Sequence, residues 1–373
     1  MLSRAELREL ASIGGKDAYV VSLYLNVDPL FNKKGDYSLH FKNMLKTVTE
    51  GLDKAVYKAV KDDLDRIDSF VLTHKRAFKK GLVVFSSGAQ SFWKEYHLGV
   101  PVKNDLIVDK TLHARPLFEV LDSYEKFALL LVGKDAARIF VIHLGEIVEY
   151  GEIKAEDIPG KHKKGGWFAL AQNHYERHID YHVSLHMREV IETLDSFLAG
   201  EEVRTLIIGG SDEAVAMVRG MLHKSVLDRV IGQVKVEMFA KTDEVLARVE
   251  PVVAAWEKAR KEETVASLVA KAMKNEGAVL GLDNVLHSLQ EQRVMRLVIL
   301  RDFTADGRVC TACGALAAQR IDTCPYCKAG METVDRIVNL AGERAIQQGA
   351  VIEVVDQNQT LQEAGGIGAF LRF

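Results

Sequence analysis

All four cysteines of the chain fall in one short segment, as Cys310-x2-Cys313, ten residues, then Cys324-x2-Cys327. Two Cys-x-x-Cys turns can supply four thiolates to one tetrahedral Zn²⁺. The ten-residue spacer is shorter than the commonest zinc-ribbon spacing, and two short strands fit it. Gly314 after the first pair and Pro325 inside the second suit tight knuckle turns. Four thiolates leave no open coordination position, so the expected role of Cys310, Cys313, Cys324 and Cys327 is structural. In small fingers such a site contributes on the order of 10–16 kcal/mol. The competing reading is a set of free buried cysteines. Clustering in one segment argues against a disulfide framework.

At 373 residues the chain is too long for one ordinary domain and calls for two or three. Its 48% hydrophobic and 27% charged content is that of a globular protein. No apolar run is long enough to span a bilayer, and the opening Met1-Leu2-Ser3-Arg4-Ala5-Glu6 reads as an amphipathic helix rather than a signal peptide. The expectation is a cytoplasmic protein with no membrane partner. A net charge of −3 means that any nucleic-acid binding rests on local patches.

Residues 19–25 read as a strand, and Gly81-Leu82-Val83-Val84-Phe85 as a buried strand. Between them, Phe41, Leu45, Val48, Leu52, Val56, Val60, Leu64 and Ile67 recur at spacings of three and four, which predicts a helical stretch from Ser38 to Val71. Strands are expected at 127–132, 137–142 and 145–150, with a turn at Gly133. A long helix to about Leu198, a strand at 206–210, a helix from Asp212 and a strand at 230–236 follow. This alternation indicates an α/β layer. Gly209-Gly210 is read as a tight strand-to-helix turn rather than a phosphate loop. The charge-rich run 257–263 is expected to be a solvated helical connection. Beyond it come a helix from about Gly281, a strand at 296–300, a helix from Glu332 and a strand at 351–355.

The stretch Ile158-Pro159-Gly160-Lys161-His162-Lys163-Lys164-Gly165-Gly166-Trp167 begins as a loop and leads into that long helix. Pro159 and Gly160 break regular structure. Lys161, Lys163 and Lys164 meet no acid downstream until Glu176. Gly165 and Gly166 let the backbone approach a partner closely. A basic loop ending at a helix start suits a polyanion, because lysines and free N–H groups both meet phosphate. Taken alone, the stretch reads first as a surface loop that happens to be basic and glycine-rich.

From Pro159 to Gly166 the stretch resembles the central-domain loop of the archaeal and eukaryotic class-I release factors, which ends Gly-Gly-Gln. Here Trp167 stands at the glutamine position. The Val-Ser-Leu-Tyr strand, the Gly-Leu-Val-Val-Phe strand, Leu206-Ile207-Ile208-Gly209-Gly210 and the ending Gly365-Gly366-Ile367-Gly368 resemble the same family and Pelota, in the same order. Archaeal release factors carry comparable cysteine pairs. The codon-reading Asn-Ile-Lys-Ser motif is absent, and Lys33-Lys34-Gly35-Asp36-Tyr37 holds its place. Lys33, Lys34, Lys42 and Lys46 are candidate rRNA contacts or, equally, a solvated face and turn.

The resemblance implies an α/β protein of three domains. Residues 1–117 would be the N-terminal domain and 118–256 the central domain carrying the Gly-Gly loop. Residues 257–373 would be a domain resembling kink-turn-binding ribosomal proteins, with a zinc-ribbon insertion. It implies the ribosome, its rRNA and peptidyl-tRNA as partners, and a translational GTPase met through the third domain. Gly165, Gly166 and Trp167 would lie at the peptidyl-transferase centre, and Lys161, His162, Lys163, Lys164 and Arg177 on rRNA. Indole has one donor and no acceptor, so Trp167 cannot replace the glutamine side chain, although its backbone N–H can face an oxyanion. Two functions stay open: occupancy of the A site in rescue, surveillance or hibernation, and peptidyl-tRNA hydrolysis through backbone groups. A third, a zinc-dependent RNA-binding module unrelated to ribosomes, requires the resemblance to be accidental. His174, His178, His182 and His186 form a stripe along the long helix. A mixture of packed and solvated histidines is the first reading, an rRNA-facing surface the second and a metal site the last.

Overall fold

The run Val20–Asn26 is β1, buried at every position but the last, and Gly81–Ser87 is β2, buried throughout. The computed structural model describes residues 6, 9, 10, 13, 18–32, 36–154, 169–201 and 203–373, and the side chains of all of these except 169–180. Between the two strands lie α1 (Tyr37–Gly51) and α2 (Lys54–Thr73). β3 (Phe92–Leu98) and β4 (Asp105–Asp109) complete an antiparallel sheet of order β3-β2-β1-β4. Alternate residues of β1, namely Val21, Leu23 and Leu25, meet Phe41 of α1 and Val60, Leu64 and Ile67 of α2 on one face. The apolar spacing from Ser38 to Val71 therefore belongs to two helices. Leu52 and Asp53 between them are extended, at ψ 142 and 148. The spacing runs through the break because Leu52 still packs on the shared core.

After α3 (Arg115–Ser123), β5 (Phe127–Val132), β6 (Ala136–His143) and β7 (Glu146–Lys154) form an antiparallel meander. The expected turn at Gly133 closes through its N–H to the Ala136 carbonyl, 2.8 Å. Then come α4 (Ala169–Gly200), β8 (Thr205–Gly210), α5 (Asp212–Met221), α6 (Lys224–Leu227), β9 (Val230–Val234) and α7 (Thr242–Met273). The sheet order is β7-β6-β5-β8-β9, with β8 parallel to β5 and β9 parallel to β8. β5 is buried on both faces, which is why it reads as an unbroken apolar run. Ala128, Leu130 and Val132 meet α4 and α5, while Phe127, Leu129 and Leu131 meet Val245 and Val249 of α7.

A third sheet holds β10 (Ala278–Leu280), β11 (Val294–Leu300), β15 (Val351–Val355) and β16 (Ile367–Leu371), with order β10-β16-β11-β15. Leu297 and Ile299 pack on α8 (Leu282–Gln290) and α9 (Ile337–Gln347), and Val298 packs on Val265 and Leu268. The small sheet β13-β12-β14 is built from β12 (Gly307–Cys310), β13 (Leu316–Ala317) and β14 (Met331–Val334). A short helix, α10 (Gln359–Glu363), precedes β16. The helix expected from Glu332 begins at Ile337 instead, because residues 331–334 pair with β12. The chain is thus mixed α/β, with four sheets among the described residues.

The fold divides into two compact units, Met1–Ser123 with Lys261–Phe373, and Tyr124–Arg260. Within the first, α3 is bolted to the third sheet. Arg115 donates to the carbonyls of Phe303 (3.3 Å) and Arg301 (2.9 Å), to Asn339 Oδ1 (3.1 Å) and to Glu119 (3.1 Å). Asp122 accepts the Val354 N–H at 3.1 Å and pairs with Lys261 Nζ at 3.4 Å. Lys261, expected on a solvated connection, is therefore buried; the rest of the run 257–263 is half-buried or exposed. Along α9, Asn339 Nδ2 lies 3.4 Å from His113 Nδ1. Burial holds the His113 imidazole down to about 3, the charges of Arg336 and Arg115 adding to the effect. One turn on, burial pushes the Glu343 carboxyl up to about 8, against a hydrogen bond with Thr111 and with Asp109 adding.

Candidate metal centre

β12 delivers Cys310 to the first knuckle. There the Gly314 N–H donates to the Cys310 carbonyl at 3.0 Å, and the Cys310 N–H to Ala315 O at 2.9 Å. The second knuckle repeats the pattern, with Lys328 N–H to Cys324 O at 3.0 Å and Cys324 N–H to Ala329 O at 2.8 Å. Each chain turns through the left-handed region just after its second cysteine, at Gly314 (φ +70) and Lys328 (φ 65). Glycine adopts that conformation freely, whereas for lysine it costs on the order of 1 kcal/mol.

The four sulfurs lie within 4.8 Å of one another, with Cys310–Cys327 at 3.3 Å and Cys313–Cys324 at 3.6 Å. Zinc–sulfur bonds of about 2.3 Å in a tetrahedron put sulfurs about 3.8 Å apart, so the donor set fits such an ion. Cys310 and Cys324 are buried, and Cys313 and Cys327 exposed. The Cys313 N–H, pointing at the Cys310 sulfur over 3.4 Å, holds that thiol below its ordinary range. The Cys327 N–H does the same for Cys324. The first cysteine of each knuckle is thereby favoured as a thiolate, the form that binds metal, whereas the Cys313 thiol, against the Ala315 N–H, is pushed up to about 12 by the neighbouring sulfurs. With four thiolates as its ligands, the ion would fasten β12 and both knuckles together and leave no place for substrate.

Two bonds tie the knuckles to the larger domain, and neither is visible in the cysteine spacing. Arg344 on α9 donates to the Gly314 carbonyl at 2.5 Å and to Gln290 Oε1 at 3.2 Å. The Tyr326 hydroxyl sits 3.0 Å from Nδ1 of His287 on α8. Among the described residues the four cysteines are the only cluster of three or more metal-binding side chains.

The other expected site residues fare differently. Lys161, His162, Lys163, Lys164, Gly165, Gly166 and Trp167 lie outside the described residues, as do Lys33 and Lys34, and the side chain of Arg177 is likewise outside them. Lys42 is exposed, and Lys46 faces Glu50 at 3.8 Å in solvent. Of the histidine stripe, His182 is half-buried and His186 fully buried, while the side chains of His174 and His178 lie outside the described residues. Gly209 and Gly210 are the last residues of β8, paired with Leu131 and Val132 of β5, so the expected turn falls at Ser211 instead; a Cβ on Gly210 (φ +136) would sit 2.1 Å from Val132 O. The helix start beyond it carries Ser211 as cap and the acids Asp212 and Glu213, the wrong sign for phosphate.

Residues 113–254 match the family described as bacterial archaeo-eukaryotic release factor family 10. This segment contains Gly165 and Gly166, and the resemblance to that family holds over it. No curated protein sequence matches. Among solved structures, archaeal translation termination factor aRF1 is 16% identical over 100% of this chain and 99% of that one, with a TM-score of 0.27. Archaeoglobus fulgidus Pelota is 16% identical over 79% of each chain, with a TM-score of 0.36. Pelota in a model of ribosome-bound archaeal Pelota and ABCE1 is 11% identical over 100% and 94%, with a TM-score of 0.42. Among the described residues no helix is long and apolar enough to cross a membrane.

Proposed function

We propose that this protein is a ribosome-associated factor of the cytoplasm that enters the A site and directs residues 160–167 at the peptidyl-transferase centre, in rescue, surveillance or hibernation rather than stop-codon decoding. One observation carries the reading: the release-factor match at 113–254 encloses a loop that keeps Pro159 to Gly166 and replaces the glutamine with Trp167. Lys161, His162, Lys163, Lys164 and Arg177 would meet rRNA phosphates, and the indole would stack on a base. Stacking of this kind is worth about 1–3 kcal/mol per base in single-strand binders. The segment 257–373, pinned by zinc at Cys310, Cys313, Cys324 and Cys327, would meet a translational GTPase.

Retention of Gly165-Gly166 supports a second reading, hydrolysis of the peptidyl-tRNA ester by water that rRNA holds and a backbone N–H near Trp167 polarises. The two are separated by measuring release of labelled peptide from stalled ribosomes beside binding. Under occupancy, the unaltered protein releases nothing and Trp167→Ala weakens binding by roughly tenfold. Under hydrolysis, Trp167→Ala keeps most of the release and Gly166→Pro abolishes it. Efficient release by the unaltered chain overturns occupancy.

A further inference from the structure

The two short sulfur–sulfur distances share a pattern. Each runs from one knuckle to the other, and each joins a buried cysteine to an exposed one: Cys310 to Cys327 at 3.3 Å and Cys324 to Cys313 at 3.6 Å. An exposed cysteine with a second sulfur within 4 Å is the arrangement of a reversible thiol sensor.

We propose that the four-cysteine centre is a peroxide-sensitive switch, in which oxidation joins Cys327 to Cys310 and Cys313 to Cys324 and expels the zinc. The proposal rests on the zinc reading above. The exposed Cys327 thiolate attacks one oxygen of hydrogen peroxide; the O–O bond breaks, giving a sulfenic acid and hydroxide. The Cys310 thiolate then attacks the sulfenic sulfur, forming the disulfide and displacing a second hydroxide. Two sulfurs give up two electrons to one peroxide, and two protons from solvent turn the hydroxides into water. Cys313 and Cys324 repeat the sequence with a second peroxide. Zinc has then lost all four of its thiolates and leaves as the aqueous ion. A dithiol reverses both bonds by exchange.

The anchors make the event felt beyond the knuckles. Arg344 holds the Gly314 carbonyl to α9, and Tyr326 meets His287 of α8. Redrawing the knuckle backbone around new disulfides pulls on both contacts, so the surface of α8 and α9 depends on the oxidation state of the centre.

The test uses the full chain, purified reduced with zinc, and dilute hydrogen peroxide. A chromophoric chelator follows zinc, thiol titration follows sulfur, and mass spectrometry of peptides cut without reduction maps the pairs. The expected result is one zinc released per chain as four thiols fall to none, with peptides linked 310 to 327 and 313 to 324, all restored by dithiothreitol and zinc. A Cys327→Ser chain should still form the 313–324 link, leaving Cys310 reduced or capped. Zinc retained at peroxide levels that oxidise a free-thiol control overturns the switch. So do links within a knuckle, or conversion to sulfinic and sulfonic acids. A reduced chain that purifies without zinc overturns the metal reading and the switch with it.

Discussion

Arg344 shows how one side chain outside a motif can decide how well the motif works. Its guanidinium is half-buried between α8, α9 and the first knuckle, and it gives one fork to Gly314 O and one to Gln290. A methionine of similar length keeps the packing and loses both bonds. Hydrogen bonds from charged donors are worth about 1.5–3 kcal/mol, and outer partners of metal ligands typically tune affinity about 10–100-fold. Arg344→Met should therefore weaken zinc binding within that range in chelator competition, with the four cysteines untouched. An unchanged affinity would make Arg344 a domain-packing residue only. The sequence could not have pointed to it, since Arg344 is one of 49 basic residues and is remote in the chain from the cysteines it serves. The cysteines themselves were legible because metal chemistry demands both their type and their spacing.

Elements were legible where burial is two-sided or strictly periodic. The runs at 127–132 and 351–355 are strands with those bounds. Reading failed where pairing overrode local pattern, as at Glu332, and where a break kept an apolar residue, as at Leu52. Pattern also says nothing of how α9 meets the chain near His113, yet that contact sets a pH dependence. His113 ordinarily titrates at 6.5 and is held near 3 in the fold. Between those values the unfolded chain binds a proton that the folded chain does not. Stability therefore falls as pH drops through this window, by about 1.4 kcal/mol per unit. Glu343 acts in the opposite sense, because its ordinary 4.5 is raised to about 8. There the folded chain keeps a proton that the unfolded chain has lost, so stability falls as pH rises from 4.5 to 8, at a similar slope. The two offset each other between 4.5 and 6.5, leaving a plateau with a falling limb on each side. Urea midpoints taken across this range should show it, and Glu343→Gln should flatten the limb above pH 6.5. A limb that survives the substitution has another source.

At the scale of the molecule, the family match and the compact units do not share boundaries. The match runs from 113 to 254, whereas the second unit runs from Tyr124 to Arg260. At the N-terminal end the difference is α3, which lies inside the match but makes its buried bonds with the first unit, through Arg115 and Asp122. A fragment of 113–254 carries α3 without the carbonyls of Arg301 and Phe303 or the Val354 N–H. Amides of 115–123 should then exchange hydrogen at nearly unprotected rates in that fragment, while those of β5 and β8 stay protected. In the full chain α3 should be protected as well. Protection of α3 in the fragment would mean that its helix stands without the third sheet.

The placement of β16 has a consequence for synthesis. Of the four strands in its sheet it comes latest in the chain, and it lies between β10 and β11 rather than at an edge. While residues 367–371 are still inside the exit tunnel, β10 and β11 have no strand to join them, and the first four-stranded sheet waits with α3 unanchored beside it. Tyr124–Arg260, by contrast, has all its strands outside as soon as α7 emerges. The nascent chain therefore carries Tyr124–Arg260 with all its strands made while the third sheet still lacks its central strand.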